Sequence, residues 1–255
     1  MRPLFLLLVV CFFVACEQDS SEGVVNIPKD AQSIVDRAIK VHGNAQLQGN
    51  TVRFTFRNRK FRAHLEGGKF IYARSFEDTL GNQYTDILSN QRFYRKVNGE
   101  EIELSSKDSS AYANDLNSVI YFALLPNFLN DNAVNKVYLG KGSIKGQEYH
   151  KVKVTFSEDG GGKDFEDEYV YWFHAKDYSM DYLAYNYQVN GGGARFREAY
   201  NLRSVAGLRV ADYNNYKPLD KRMDVENFDQ LFDQDSLKLL SKIELEDVEL
   251  VKDID

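Results

Sequence analysis

Cys16 is the side chain whose chemistry the sequence states most directly. It closes the run MRPLFLLLVVCFFVAC (residues 1–16), in which Arg2 gives a positive start and Leu4 to Ala15 twelve apolar residues. Phe13-Val14-Ala15-Cys16 reads as a lipobox-like cleavage site, where a thiol behind a small residue is acylated and the chain is then cut in front of it. Twelve residues are too few for a membrane-spanning helix, which needs about 20. They match a secretory h-region of roughly 7–15. The sequence therefore predicts a signal peptide over 1–15 and a lipidated (palmitate-bearing) Cys16. A tether follows over 16–28, ending at Pro28, and then one domain over 29–255. The only other cysteine, Cys11, leaves with the leader, so disulfides, thiolate metal sites and cysteine nucleophiles are excluded.

The remaining reactive side chains form no recognisable constellation. Among His42, His64, His150 and His174 no two stand at i, i+3 or i, i+4, and HExxH is absent. His150 shares strand parity with Val152, Val154 and Phe156, which predicts a hydrogen-bonded core histidine. His42 stands where a helix would end and its dipole would favour a cation. No GxSxG elbow or SxxK is present. Asp86 and Asp181 would form a glycosidase-type carboxylate pair only if the fold brought them together. Gly160-Gly161-Gly162 lies among acids, but in a register that fits neither calcium motif and predicts an acidic hairpin. Gly191-Gly192-Gly193 before Arg195 predicts a wide turn. No metal or cofactor is expected.

Charge on apolar strand faces is more informative. Arg74 shares parity with Phe70, Tyr72 and Phe76; Arg95 follows Phe93-Tyr94; Arg195 and Arg197 flank Phe196. One reading is rim positions snorkelling past aromatics. The other is a pocket with apolar walls and a few cations that orient an anionic group.

These residues must be carried by β-structure. Asp30 as N-cap, Ile34, Val35, Ala38 and Ile39 at helical spacing and Gly43 as C-cap predict a helix over about 30–42. From Gly49 the period is two, as in Val52, Phe54 and Phe56 alternating with Arg53, Thr55 and Arg57. Strands are predicted through Phe61–Leu65 and Phe70–Phe76, then over about 83–89, 91–97 and 100–104. Residues 112–125 predict an inserted helix buried on most sides, ended by Pro126. Further strands are predicted over about 134–144, 147–157, 166–174, 181–189, 195–204 and 207–214, with a short helix at 235–241 and a closing strand at 242–251. Short turns between successive strands imply antiparallel pairing.

The 32 basic and 38 acidic residues give a net charge of −6, and the leader removes one Arg and no acid. This interspersed acidic balance argues against nucleic acid as partner. Phe and Tyr are abundant, with Trp172 the single tryptophan, and favour strands and large buried areas.

Four strings carry a resemblance: Asp86-Ile87-Leu88-Ser89-Asn90-x-x-Phe93-Tyr94-Arg95; Asn117-Ser118-Val119-x-Tyr121-Phe122-x-x-Leu125-Pro126; Met180-Asp181-Tyr182-Leu183-Ala184-Tyr185; and Arg195-Phe196-Arg197. Together they resemble an uncharacterised lipoprotein family of the Bacteroidota, over essentially the whole chain after the leader. The order helix, antiparallel strands, inserted apolar helix, further strands is similar to that of the LolA/LolB-type lipoprotein carriers. That similarity implies a half-barrel sheet covered by helices over an apolar cavity that receives acyl chains.

The resulting expectation is a mainly β (α+β) fold. It has a single strongly curved antiparallel sheet of about ten or eleven strands, with the N-terminal and inserted helices on its concave face. The expected function is non-enzymatic: a monomeric, outer-membrane-anchored lipoprotein, facing the periplasm or the cell surface, that binds a lipid or other amphiphilic small molecule. Tyr72, Phe76, Tyr121, Phe122, Trp172 and Tyr185 are candidate wall residues, and Arg74 and Arg95 candidate polar anchors. An envelope hydrolase using His150 or His174 as base, and an assembly lipoprotein that binds another envelope protein, stand as alternatives.

Overall fold

The computed structural model describes residues 30–159, 165–188, 191–221 and 224–252. The expected signal peptide, Cys16, the expected tether and the 160–162 glycine triplet lie outside the described residues.

The chain begins with α1 (Ala31–Val41), capped by Asp30, whose side chain accepts from the Ser33 N–H at 2.7 Å. Six strands follow as an antiparallel meander: β1 (Asn50–Phe56), β2 (Arg59–Glu66), β3 (Lys69–Glu77), β4 (Gln83–Ser89), β5 (Phe93–Val97) and β6 (Glu100–Ile102). Helix α2 (Ser106–Ala123) leaves that sheet at its far edge. Its N-cap is Ser105, which accepts from the Asp108 N–H. A second meander follows: β7 (Val134–Ile144), β8 (Gln147–Phe156), β9 (Tyr169–His174), β10 (Met180–Tyr187), β11 (Gly193–Val205) and β12 (Leu208–Pro218). Short helix α3 (Phe228–Asp233) precedes β13 (Leu237–Ile243) and β14 (Glu246–Lys252).

The expected single sheet is two. One seven-stranded sheet runs β14-β1-β2-β3-β4-β5-β6 and the other β13-β12-β11-β10-β9-β8-β7. The division follows from the chain path. Helix α2 separates β6 from β7, so each becomes an outer edge. The last two strands then part, β13 pairing with β12 and β14 with β1. The corner between them is pinned by buried Asp212. It accepts from the Leu245 N–H at 2.9 Å and from both Arg203 Nη atoms at 3.2 Å, while Arg203 also donates to the Leu245 carbonyl.

Two further expectations are corrected. Residues 235–241 lie mostly in β13, and the short helix sits at Phe228–Asp233, where Phe228 and Phe232 on one side fill the core. The inserted helix starts earlier than 112 and is not buried on most sides: within it only Leu116 and Ile120 are fully buried. Tyr121 and Phe122 are half-buried instead, because each borders open space.

The core explains which faces are covered. Helix α1 packs Ile34, Val35 and Ala38 against Val152, Tyr171, Phe173 and Leu183 of the second sheet. Helix α2 packs Leu116 and Ile120 with Val52, Phe54, Ala63 and Tyr72 of the first, joined by Leu208 and Val210 of β12. The opposite face of the second sheet carries Val170, Trp172, Tyr182 and Phe196 against Val225 and Phe228. Strand β9, YVYWFH, is therefore apolar without alternation because both its faces are covered. Gly43, at φ +82°, ends α1 so close to the β11–β12 turn that a Cβ would stand 2.1 Å from the Gly207 carbonyl oxygen. Only glycine tolerates both the conformation and the approach.

His42 closes α1, and burial, not the helix dipole, sets its charge. Its Nδ1 lies 2.8 Å from the Ala38 carbonyl and its Nε2 accepts the Met180 N–H at 3.4 Å. One nitrogen must donate and the other accept, which describes a neutral ring. Desolvation accordingly lowers its pKa to about 4. The unfolded chain takes up this proton near pH 6.5 and the folded chain only near 4, so the associated stability is present above pH 6.5 and lost as pH falls through that window. Urea unfolding between pH 7 and 4 should show a loss on the order of 3 kcal/mol from this group, and His42→Gln should flatten that part of the profile. An unchanged slope in the variant would count against burial as the cause.

Candidate functional site

The eight predicted site residues fall into three separate places. The first is a charge ladder. Arg74, Asp86 and Arg95 are direct cross-strand neighbours on β3, β4 and β5. Asp86 is fully buried and accepts from Arg74 Nε (3.0 Å) and Nη2 (2.6 Å) and from Arg95 Nε (2.5 Å) and Nη2 (2.9 Å). Arg74 also reaches Asp115 on α2, and the Arg95 guanidinium stacks 3.7 Å from the centre of the Tyr112 ring. Phe76 stacks on Tyr84 beside both arginines. None of the three predicted residues lines a described cavity: the charge on this apolar face is neutralised by an acid one strand away. Asp86 and Asp181 are not brought together either, since they sit on different sheets and Asp181 meets Arg209 at 3.1 Å.

The second place is the far side of the second sheet. Trp172 is directly opposite Tyr182, whereas Tyr185 is opposite Tyr169. Strand parity therefore sends Trp172 into the α3-side core, with no exposure, and Tyr185 to the other face.

The third place is α2 itself, which separates two cavities. On one side, about 670 Å³ is bordered by Tyr72 and Tyr121 together with amides that include Asn44, Asn117 and Asn132. The Tyr121 hydroxyl stands 3.4 Å from that of Tyr171, and burial pushes its pKa up to about 12. On the other side lies a cavity of about 320 Å³ between the two sheets. Phe56 of β1, Val119, Phe122 and Ala123 of α2, Tyr185 of β10, Ala211 and Tyr213 of β12, Ile243 of β13 and the corner residue Leu245 form its apolar walls. Of the predicted wall residues, Phe122 and Tyr185 meet here, with ring centres 5.3 Å apart.

The polar groups of this inter-sheet cavity are Arg57, Ser118, Arg197 and Asn215, with no carboxylate among the lining side chains. Arg197, from β11, is 8 % exposed. Its guanidinium lies 4.0 Å from the centre of the Phe122 ring, and Nη2 donates to the Tyr185 hydroxyl at 3.1 Å. Asn215 stands directly opposite Arg197 on β12 and donates to Ser241 Oγ at 3.1 Å. The sequence had set Arg197 beside Phe196 as a charge on a strand face. Phe56, Tyr213 and Asn215 were missed, although Ala211, Tyr213 and Asn215 share one parity of β12.

The histidines do not form a hydrolytic centre with the cavities. His150 is buried and bonded to the Tyr138 hydroxyl at 3.1 Å. His174 contacts Asp177 at 3.2 Å within a turn, without hydrogen-bond geometry. Neither borders a described cavity. Among the described residues no group of three or more His, Cys, Asp or Glu could hold a metal ion. No described helix is long and apolar enough to cross a membrane.

Two large antiparallel sheets with few helices, enclosing space beside an inserted helix, define a mainly β, LolA-like fold. The structure is similar to a LolA superfamily protein from Nitrosomonas europaea, with a TM-score of 0.51 and 11% identity over 89% of this chain and 96% of that one. A DUF1329 family protein from Desulfovibrio piger gives 0.48 and 13% over 82% and 99%. A Vibrio parahaemolyticus domain described as an outer membrane lipoprotein-sorting protein gives 0.47 and 9% over 88% and 95%. No curated relative matches the sequence. Residues 2–245 match the model of a family of unknown function, DUF6503, and the chain belongs to that family.

The ladder generates a stability test. Asp86→Ala leaves the buried Arg95 guanidinium without an acid and Arg74 with only the exposed Asp115, and should cost about 3–5 kcal/mol. Asp115→Asn removes a carboxylate that is 60% exposed and should cost less than about 1 kcal/mol. Denaturant unfolding of both variants measures the difference, and equal losses would contradict the burial argument.

Proposed function

We propose that this protein is a lipid-anchored envelope lipoprotein of the Bacteroidota type. It is held at the outer membrane through acylated Cys16 and faces the periplasm. It binds the chain of a lipid or other amphiphile without catalysing a reaction. The observation that carries this reading is the cavity of about 320 Å³ between the sheets, walled by Phe56, Phe122, Tyr185, Tyr213 and Leu245 and left open by the protein's own side chains. Ligand pockets run from roughly 300 to 1,000 Å³, so this one takes a single chain. A water occupies about 30 Å³, which gives room for about ten groups of that size. The LolA-like fold supports the reading by analogy of architecture alone.

Helix α2 forms one wall of this site. It touches the first sheet through Leu116 and Ile120 and borders the cavity with Val119, Phe122 and Ala123. The chain would enter beside it and replace contact with water by contact with aromatic and aliphatic walls.

Each buried methylene contributes about 0.8 kcal/mol. Affinity for a series of alkyl ligands should therefore rise roughly tenfold for every two carbons and level off near ten carbons. Native mass spectrometry of delipidated, refolded protein and displacement of a fluorescent fatty acid measure this. Ala211→Phe, which fills the space, should weaken binding at least tenfold while leaving the melting transition in place. Absence of any lipid uptake, or full binding by the filled variant, would remove the basis for this assignment.

A further inference from the structure

We propose that the inter-sheet cavity selects a single-chain amphiphile with an anionic head, a carboxylate or a phosphate, and that Arg197 is the residue that binds that head. This rests on the cavity being an amphiphile site and goes beyond it in naming the ligand class and its anchor.

The first observation is a missing counter-charge. The other fully buried arginines, Arg74 and Arg95, share Asp86, and the half-buried Arg203 and Arg209 meet Asp212 and Asp181. Arg197 is as buried as Arg95, yet its neighbours are two aromatic rings and one neutral hydroxyl. Its Nε is buried without an acceptor among the described residues. A guanidinium so placed has lost water on several sides without gaining a negative partner, an arrangement that costs free energy unless something supplies the anion.

The second observation is the lining. In a chain of net charge −6 the cavity has two arginines, Arg57 and Arg197, and no carboxylate. Arg57 is exposed, whereas Arg197 is enclosed. The third is Asn215, directly across the strand pair and also nine-tenths buried, whose Oδ1 has no donor among the described residues. The unpaired guanidinium N–H fits an anionic oxygen of either head, and the unpaired acceptor on the facing strand fits the hydroxyl of a singly protonated phosphate. Guanidinium is suited to such oxygens because its planar N–H groups match carboxylate and phosphate geometry. Phe122 and Tyr185, which hold the guanidinium between them, also border the apolar space, so head and chain would be read by the same walls.

Calorimetric titration of delipidated protein with decanoate, decyl phosphate, decanol and decyltrimethylammonium tests this. The expected result is at least tenfold tighter binding of an anionic ligand than of decanol, and the weakest binding for the cation; comparing decanoate with decyl phosphate identifies the head. Arg197→Met should retain decanol binding and lose the preference, and Arg197→Lys should restore part of it, while Arg57→Gln should lower it far less than Arg197→Met does. Equal binding of decanol and both anions by the wild type overturns the head assignment and leaves the cavity reading standing, whether or not the variants fold. Preference that survives Arg197→Met but falls with Arg57→Gln overturns the role of Arg197. Failure of all four ligands to bind overturns the cavity reading itself, and this inference with it.

Discussion

The buried carboxylate of Asp86 is the contact on which the arrangement around α2 depends. Held by guanidiniums from the strands on either side, it fixes β3, β4 and β5 in register. The same arginines then reach outward, Arg74 to Asp115 and Arg95 to the Tyr112 ring, so the ladder is also the footing of α2. Both cavities have this helix as a wall. A charge ladder is less adaptable than apolar packing. Its partners must be directly opposite and fully bonded, and breaking one leaves the others stranded in a dry interior.

The two sheets set the remaining constraint. Their inner faces offer more apolar surface than two helices cover, and the Asp212–Leu245–Arg203 corner keeps the sheets from closing on each other where β13 gives way to β14. Space remains beside the C-terminal half of α2, where Val119, Tyr121, Phe122 and Ala123 are half-buried while Ile120 is fully packed. The same residue type meets different fates on either side of this hollow. Arg95 is neutralised by Asp86, while Arg197 faces rings and a hydroxyl and meets no acid among the described residues.

Much of the fold was legible from short-range signals. The cap at Asp30, the alternation from Val52 onward and the turn glycines locate most elements, because these depend on neighbours within a few residues. Residues Tyr169–His174 read as a strand, but nothing local in that apolar run told which face looked into the hollow. Trp172 and Tyr185 were grouped as walls for that reason, and the pairing of β9 with β10 separated them. Arg74 and Arg95 looked like pocket cations because their partner, Asp86, lies 12 and 9 residues away along the chain and meets them only when the strands align.

What the sequence alone determined is local: element type, antiparallel neighbours and the spacing of aromatics. Tertiary structure decided everything that requires distant segments to meet. It divided the strands into two sheets, because the parting of β13 from β14 is a matter of which edge each strand finds. Among the described residues it also paired the buried Arg74, Arg95 and Lys151 with acids and Arg197 with rings, because strand register, set over the whole sheet, determines whether a cation faces a carboxylate or an aromatic ring.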